Sequence, residues 1–78
     1  MSILVRFREL AGNWEEEISS PGPLTCRDAA LAALEQAGKD PSRDLKNVIF
    51  MTGGRRVDAQ SPAPDGETLS VVVLLGGG

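Results

Sequence analysis

The chain has no histidine and no tyrosine, and among its 78 residues cysteine occurs once, at Cys26, beside one tryptophan and two phenylalanines. Each shortage removes a class of chemistry. Without histidine, neither a Cys/His zinc site nor a Ser-His or Cys-His nucleophile pair can be assembled within the chain. A single thiol closes no internal disulfide. No apolar run approaches the roughly 20 residues of a membrane-spanning helix, and none of about 7 to 15 stands behind a positive amino terminus as in a secretory signal. Cytoplasmic residence without a membrane partner is the resulting expectation. Lysine and arginine total 8 against 11 aspartates and glutamates, a net charge of −3, and the arginines are scattered among acids. No basic stripe exists for a phosphate backbone, so nucleic acid is not an expected partner. Composition is 41% hydrophobic and 24% charged, which places the chain among ordinary folded domains rather than disordered ones. At this length the core is one sheet with one helix packed on it.

The end of the sequence is its most informative stretch. Val71, Val72, Val73, Leu74 and Leu75 pass directly into Gly76, Gly77 and Gly78. Five consecutive aliphatic residues read as a strand buried on both faces or covered by a partner, in the interior of a sheet. Three glycines carry no Cβ and have wide backbone freedom, so they read as a thin flexible wire bearing a carboxylate. The expected division is a folded domain over 1–75 and a glycine tail over 76–78. A terminal carboxyl, with a reference pKa of about 3.3 to 3.7, is ionised at neutral pH and is a poor electrophile until another protein activates it. An activating enzyme would receive it in a narrow channel, through which glycine threads without a side chain to clash. The competing reading is a frayed end with no function.

Along the chain, Ile3, Val5 and Phe7 alternate with Leu4, Arg6 and Arg8, the period of a strand with one core face. Ala11-Gly12-Asn13 supplies turn chemistry, and Trp14 to Ser19 returns antiparallel, with Glu15 and Glu17 on one face and Trp14, Glu16 and Ile18 on the other. The three adjacent acids read as a solvated hairpin edge that discourages aggregation, because a metal cage needs convergent oxygens. Ser20-Pro21-Gly22-Pro23 breaks the strand. Thr25 is the expected N-cap of a helix from about Cys26 to Ala37, with Asp28 three residues on and Gly38 as the stop. Its core side is Cys26, Ala30, Ala33, Leu34 and Ala37. Cys26 at a helix start has two readings, a reactive thiol or a small buried hydrophobe, and its place on the apolar side favours the second. Lys39 to Asp44 is a polar connector, Asn47 to Thr52 a third strand, Thr52-Gly53-Gly54-Arg55 a hairpin turn, and Arg56-Val57-Asp58 a short fourth strand. Gly53-Gly54 lacks the following Lys and Ser/Thr of a phosphate-cradling loop. A surface loop over Ala59 to Gly66 leads to the final strand.

A hairpin, a helix crossing the sheet and a last strand beside and parallel to the first is the β-grasp arrangement, an α+β fold with a mixed sheet of four to five strands and one main helix on one face. Short motifs run in the same order: Phe7-Arg8-Glu9-Leu10-Ala11-Gly12, Thr25-Cys26-Arg27-Asp28, Gly54-Arg55-Arg56-Val57, Asp65-Gly66-Glu67 and the terminal Gly77-Gly78. Together they resemble the ubiquitin-like sulfur carriers, most closely the small-subunit type of molybdopterin synthase, with the thiamine-pathway carriers as cousins. The resemblance spans nearly the whole chain. That family often has a proline pair where this chain has Val73-Leu74, serine or alanine at Gly76, and asparagine at Gly53.

The resemblance implies a protein cosubstrate that is not catalytic alone. Gly78 would be adenylated and then carry sulfur as a thiocarboxylate, with Gly77 threading the partner's channel. The expected partners are an activating enzyme that uses ATP, a sulfur donor protein and a larger synthase subunit, with no cofactor or metal bound by this chain. The expected contact residues are Gly76, Leu75 and Leu74 with Phe50 and Met51, where one face of the last strand stays apolar and open. The molybdenum or tungsten cofactor is the leading destination for the sulfur, with thiamine or cysteine synthesis beside it. Two further classes stand as alternatives: a ubiquitin-like modifier that acylates lysines of other proteins, and an interaction module whose tail is inert.

Overall fold

Alternating residues build the first strand and set the register of everything beside it. In the computed structural model, which describes residues 1–9, 12–40, 45 and 47–74, β1 (Ser2–Glu9) turns Ile3, Val5 and Phe7 into the core and leaves Arg6 and Arg8 in solvent. Antiparallel to it runs β2 (Gly12–Ser19), with Ile18 opposite Ile3 and Trp14 opposite Phe7. The turn expected through Gly12 and Asn13 does not reach them, since Gly12 pairs with Glu9 and Asn13 with Arg8. Gly12 nevertheless keeps the positive φ, 134°, that made it a turn candidate. Ala11 lies outside the described residues. Trp14 and Phe7 stack with ring centroids 4.3 Å apart, and Lys39 Nζ lies 5.0 Å from the Trp14 ring, closing that end of the core with a cation over a π face.

Thr25 caps the helix as its sequence position demands. Its hydroxyl accepts from the Asp28 amide at 3.1 Å, and α1 (Cys26–Gln36) follows. At the other end Gly38, at φ 74°, allows the Gly38 amide to donate to Glu35 O and the Lys39 amide to Leu34 O. This pair of bonds is a Schellman motif, and the left-handed residue it needs is glycine. The buried side is Cys26, Ala29, Ala30, Ala33 and Leu34. Ala29 joins it unexpectedly, and Ala37, the C-cap, is only half-buried. Gln36 Nε2 donates to Glu16 Oε2 at 2.6 Å and to Glu17 O at 3.0 Å, pinning the helix end to β2.

Small residues on the buried side bring the helix close to the sheet. Ala30 and Ala33 are both 0% exposed, so Ala33→Leu forces methyl groups into filled space. The expected loss is about 1 to 3 kcal/mol by overpacking, read as a lower urea midpoint at unchanged m-value. A midpoint equal to the unaltered protein's would mean that the helix stands off the sheet.

The remaining strands are β3 (Val48–Thr52), β4 (Arg55–Val57) and β5 (Thr68–Val73), and the five-stranded mixed sheet has the order β2-β1-β5-β3-β4. β5 is parallel to β1 and antiparallel to β3. Gly53 and Gly54, at φ 59° and 78°, form a two-residue hairpin turn whose two central positions are both left-handed. Because this tight turn pairs Thr52 with Arg55, β4 starts at Arg55 and ends before Asp58, one residue earlier than expected. Val48 and Phe50 face α1 with Leu69 and Val71, while Leu45 and Ala63, unremarked in the sequence, complete the core.

Of the two alternatives read for the final strand, burial on both faces is the one the fold does not take. β5 lies inside the sheet, but α1, the one helix among the described residues, covers only one of its faces. Leu69 and Val71 are fully buried, whereas Ser70 and Val72 on the opposite face are half-buried. An unbroken aliphatic run hides this difference, because side chains of both faces have the same hydropathy.

Segment 58–67 ties the pieces together. Ser61 O accepts from the Cys26 amide at 2.8 Å and Ala59 O from the Arg27 amide at 2.9 Å, satisfying two donors that a helix start leaves open. Gly66, at φ 76°, turns the chain into β5, and Ser2 donates its amide to Asp65 Oδ1 at 2.9 Å, aligning the start of β5 with that of β1.

Candidate functional site

The register places a grid of side chains on the sheet face away from α1. One row reads Glu15, Arg6, Ser70, Met51 and Arg56 across the five strands, and the next reads Asn13, Arg8, Val72 and Ile49. Leu74 follows Val72 by two residues, its amide donating to Asn47 O at 2.8 Å. At 47% it is the one large hydrophobic residue exposed among those described. A shallow groove lined by Arg8, Asn13, Ile49, Met51, Val72 and Leu74 lies at this end of the face. The chain therefore leaves the sheet from its central strand, at the border of an apolar strip.

Of the residues expected to meet a partner, Met51 and Leu74 lie on this face. Phe50 does not: it is 5% exposed and packs under α1, because its neighbours Ile49 and Met51 take the open positions of β3. Ile49, Val72, Arg8 and Arg56 belong to the face and were not singled out from sequence. Alternation about the core residues Phe50 and Val71 is the signal that finds them. Leu75, Gly76, Gly77 and Gly78 lie outside the described residues.

Cys26 is 0% exposed, and its Sγ faces Pro62 O at 3.8 Å. Burial pushes the thiol pKa up, and a backbone hydrogen bond offsets this only in part. A thiolate is the reactive form, so the geometry makes an inert core thiol. Two results are expected. Alkylation of Cys26 at neutral pH proceeds only through unfolding, so a maleimide labels native protein far more slowly than urea-unfolded protein. The raised folded-state pKa also makes the unfolded chain lose its thiol proton first, so this contribution is intact below the ordinary thiol pKa and shrinks as pH rises above it. Wild type should then lose stability relative to Cys26→Ala between neutral pH and about pH 10, in urea titrations at each pH. A constant difference would contradict the burial.

Among the described residues no group of three or more His, Cys, Asp or Glu could hold a metal ion, and no helix is long and apolar enough to cross a membrane. The Arg6–Glu15 pair, 2.6 Å at its closest, lies open to solvent and contributes little. Comparison with known proteins adds no kinship: no protein-family model matches the chain, and no curated protein matches it significantly.

Proposed function

We propose that this chain is a sulfur carrier of the ubiquitin-like type, with a β-grasp domain that holds a loadable glycine carboxylate. The observation that carries the reading is the position of β5. It is hydrogen-bonded on both edges, to β1 and to β3, and ends at Val73, next to exposed Leu74 and five residues before Gly78. A strand held on both sides fixes where the segment beyond it starts, and Gly76-Gly77-Gly78 beyond that point has no side chains to obstruct a partner's channel. The order of hairpin, helix and parallel return strand, together with the ordered motifs, also supports it.

The chemistry balances with the chain as an acyl donor. A Gly78 carboxylate oxygen attacks the α-phosphorus of ATP on an activating enzyme, and pyrophosphate leaves. The outer sulfur of a donor protein's persulfide then attacks the acyl carbon and AMP leaves, giving an acyl disulfide. A second thiol attacks the donor-side sulfur of that bond, becomes disulfide-linked to the donor, and the thiocarboxylate departs. Partners supply the acids, bases and ATP site. Motif resemblance favours molybdopterin, in the route to molybdenum or tungsten cofactors, as the destination of the sulfur.

The test is incubation with ATP, a sulfur donor and a purified activating enzyme of this class, followed by intact-mass measurement. Loading exchanges one oxygen for sulfur and adds about 16 Da at Gly78. An unchanged mass with no ATP consumption would defeat the proposal. Recovery of the chain in isopeptide linkage to lysines, without the mass gain, would replace it with the protein-modifier reading.

A further inference from the structure

Charge on the open face is arranged in two places with an apolar strip between. Arg8 stands on β1 beside Val72, and Arg56 stands on β4 opposite Met51. Both arginines are exposed, and neither has a partner among the described residues. Arg6 differs, being occupied by Glu15. Glu15 and Glu17 of this face sit on β2, outboard of β1 and away from the strip. Glu9, next to Arg8 on β1, lines the end of the groove but makes no ion pair with Arg8, and Asp58, just past the end of β4, makes none with Arg56. With strands about 4.8 Å apart and about 3.3 Å per residue along them, the Arg8 and Arg56 backbones are roughly 16 Å apart diagonally across Val72, Ile49 and Met51. A chain of net charge −3 thus presents, among its described residues, positive charge without an ion-pair partner on both flanks of its open apolar strip.

This pattern selects an occupant. A second copy stacked face to face, about either in-plane two-fold axis, would lay arginine columns over arginine columns, so self-association is opposed by like charge. We infer that the face takes a protein partner whose contact surface has an apolar centre flanked on two opposite sides by carboxylates, one received by Arg8 and the other by Arg56. The inference deepens the carrier reading, whose activating enzyme would present that surface. It rests on that reading for the partner's identity but not for its chemistry.

The probe is a synthetic helical peptide of about 12 residues with a leucine stripe and glutamates in its first and last turns, which a rise of 1.5 Å per residue sets about 16 Å apart. Two comparators carry lysine in place of every glutamate, or both glutamate clusters at one end. Binding is followed by amide chemical shifts of the intact isotope-labelled chain. The expected result is shifts centred on Ile49, Met51 and Val72, with the glutamate-framed peptide binding about 5-fold or more tighter than either comparator and losing that margin at high salt. Arg8→Gln and Arg56→Gln should each weaken it about 3-fold, whereas Arg27→Gln, on the exposed side of α1, should not. Equal affinity for the three peptides, shifts centred on α1, or an Arg27→Gln effect matching the other two would overturn the inference. No ATP or enzyme enters this experiment, so its failure and a failure of sulfur loading are separate results.

Discussion

Replacing Phe7 with alanine is expected to lower the unfolding free energy by about 3 to 5 kcal/mol, the cost of removing a buried aromatic side chain and leaving its cavity. Phe7 is 0% exposed, stacks on Trp14 and lies between β2 and β5 with Val71 as its β5 neighbour, so no single side chain can move to fill the space. A domain of this length has a total stability of roughly 4 to 12 kcal/mol, so the variant should be extensively unfolded well below the wild-type melting temperature. Urea titration with far-ultraviolet circular dichroism measures the loss, and the single Trp14 reports the same transition by fluorescence from beside the cavity. Phe7→Leu retains most of the volume and should cost about 1.5 kcal/mol or less. A midpoint for Phe7→Ala within experimental error of wild type would mean that the stacked pair does not close the core.

Much of this architecture is legible in the sequence because each element carries its own local signal. Strict alternation around Ile3, Val5 and Phe7 fixes both a strand and its inner face. Thr25 with Asp28 fixes one helix end and Gly38 the other, since capping is decided within a few residues. Gly53-Gly54 fixes a two-residue turn because its backbone needs left-handed conformations at both positions. Long-range facts are less legible. Val71 to Val73 reads as buried on both faces or covered by a partner, and hydropathy does not choose between them because it does not reveal that the described residues provide one helix for two faces. For the same reason Phe50 and Met51 look interchangeable as surface candidates until the pairing of Phe50 with Val71 fixes which one points inward. Arg8 and Arg56 are 48 positions apart, and nothing local relates them. Only the insertion of β5 and β3 between β1 and β4 makes them the two flanks of one strip.

If the glycine segment is the working part, Gly77→Val should depress thiocarboxylate loading by about 100-fold or more while leaving the urea midpoint unchanged. A β-branched side chain narrows the backbone's choices and adds bulk where a channel must admit the carboxylate to within attacking distance of phosphorus, and a misplacement of about 1 Å there is enough for that loss. Gly77→Ala should fall between. Strand pairing is spared because the sheet ends at Val73, four residues before Gly77. The open face supplies the contrasting case. Val72→Asp removes contacts made equally before and during the reaction, so it should raise KM for the chain with little change in kcat, whereas Gly77→Val should act chiefly on kcat. Loading of Gly77→Val at the wild-type rate would show that the terminal glycines need not thread a confined site. The opposite assignment, with Val72→Asp acting on kcat and Gly77→Val on KM alone, would exchange the roles of the tail and the sheet face.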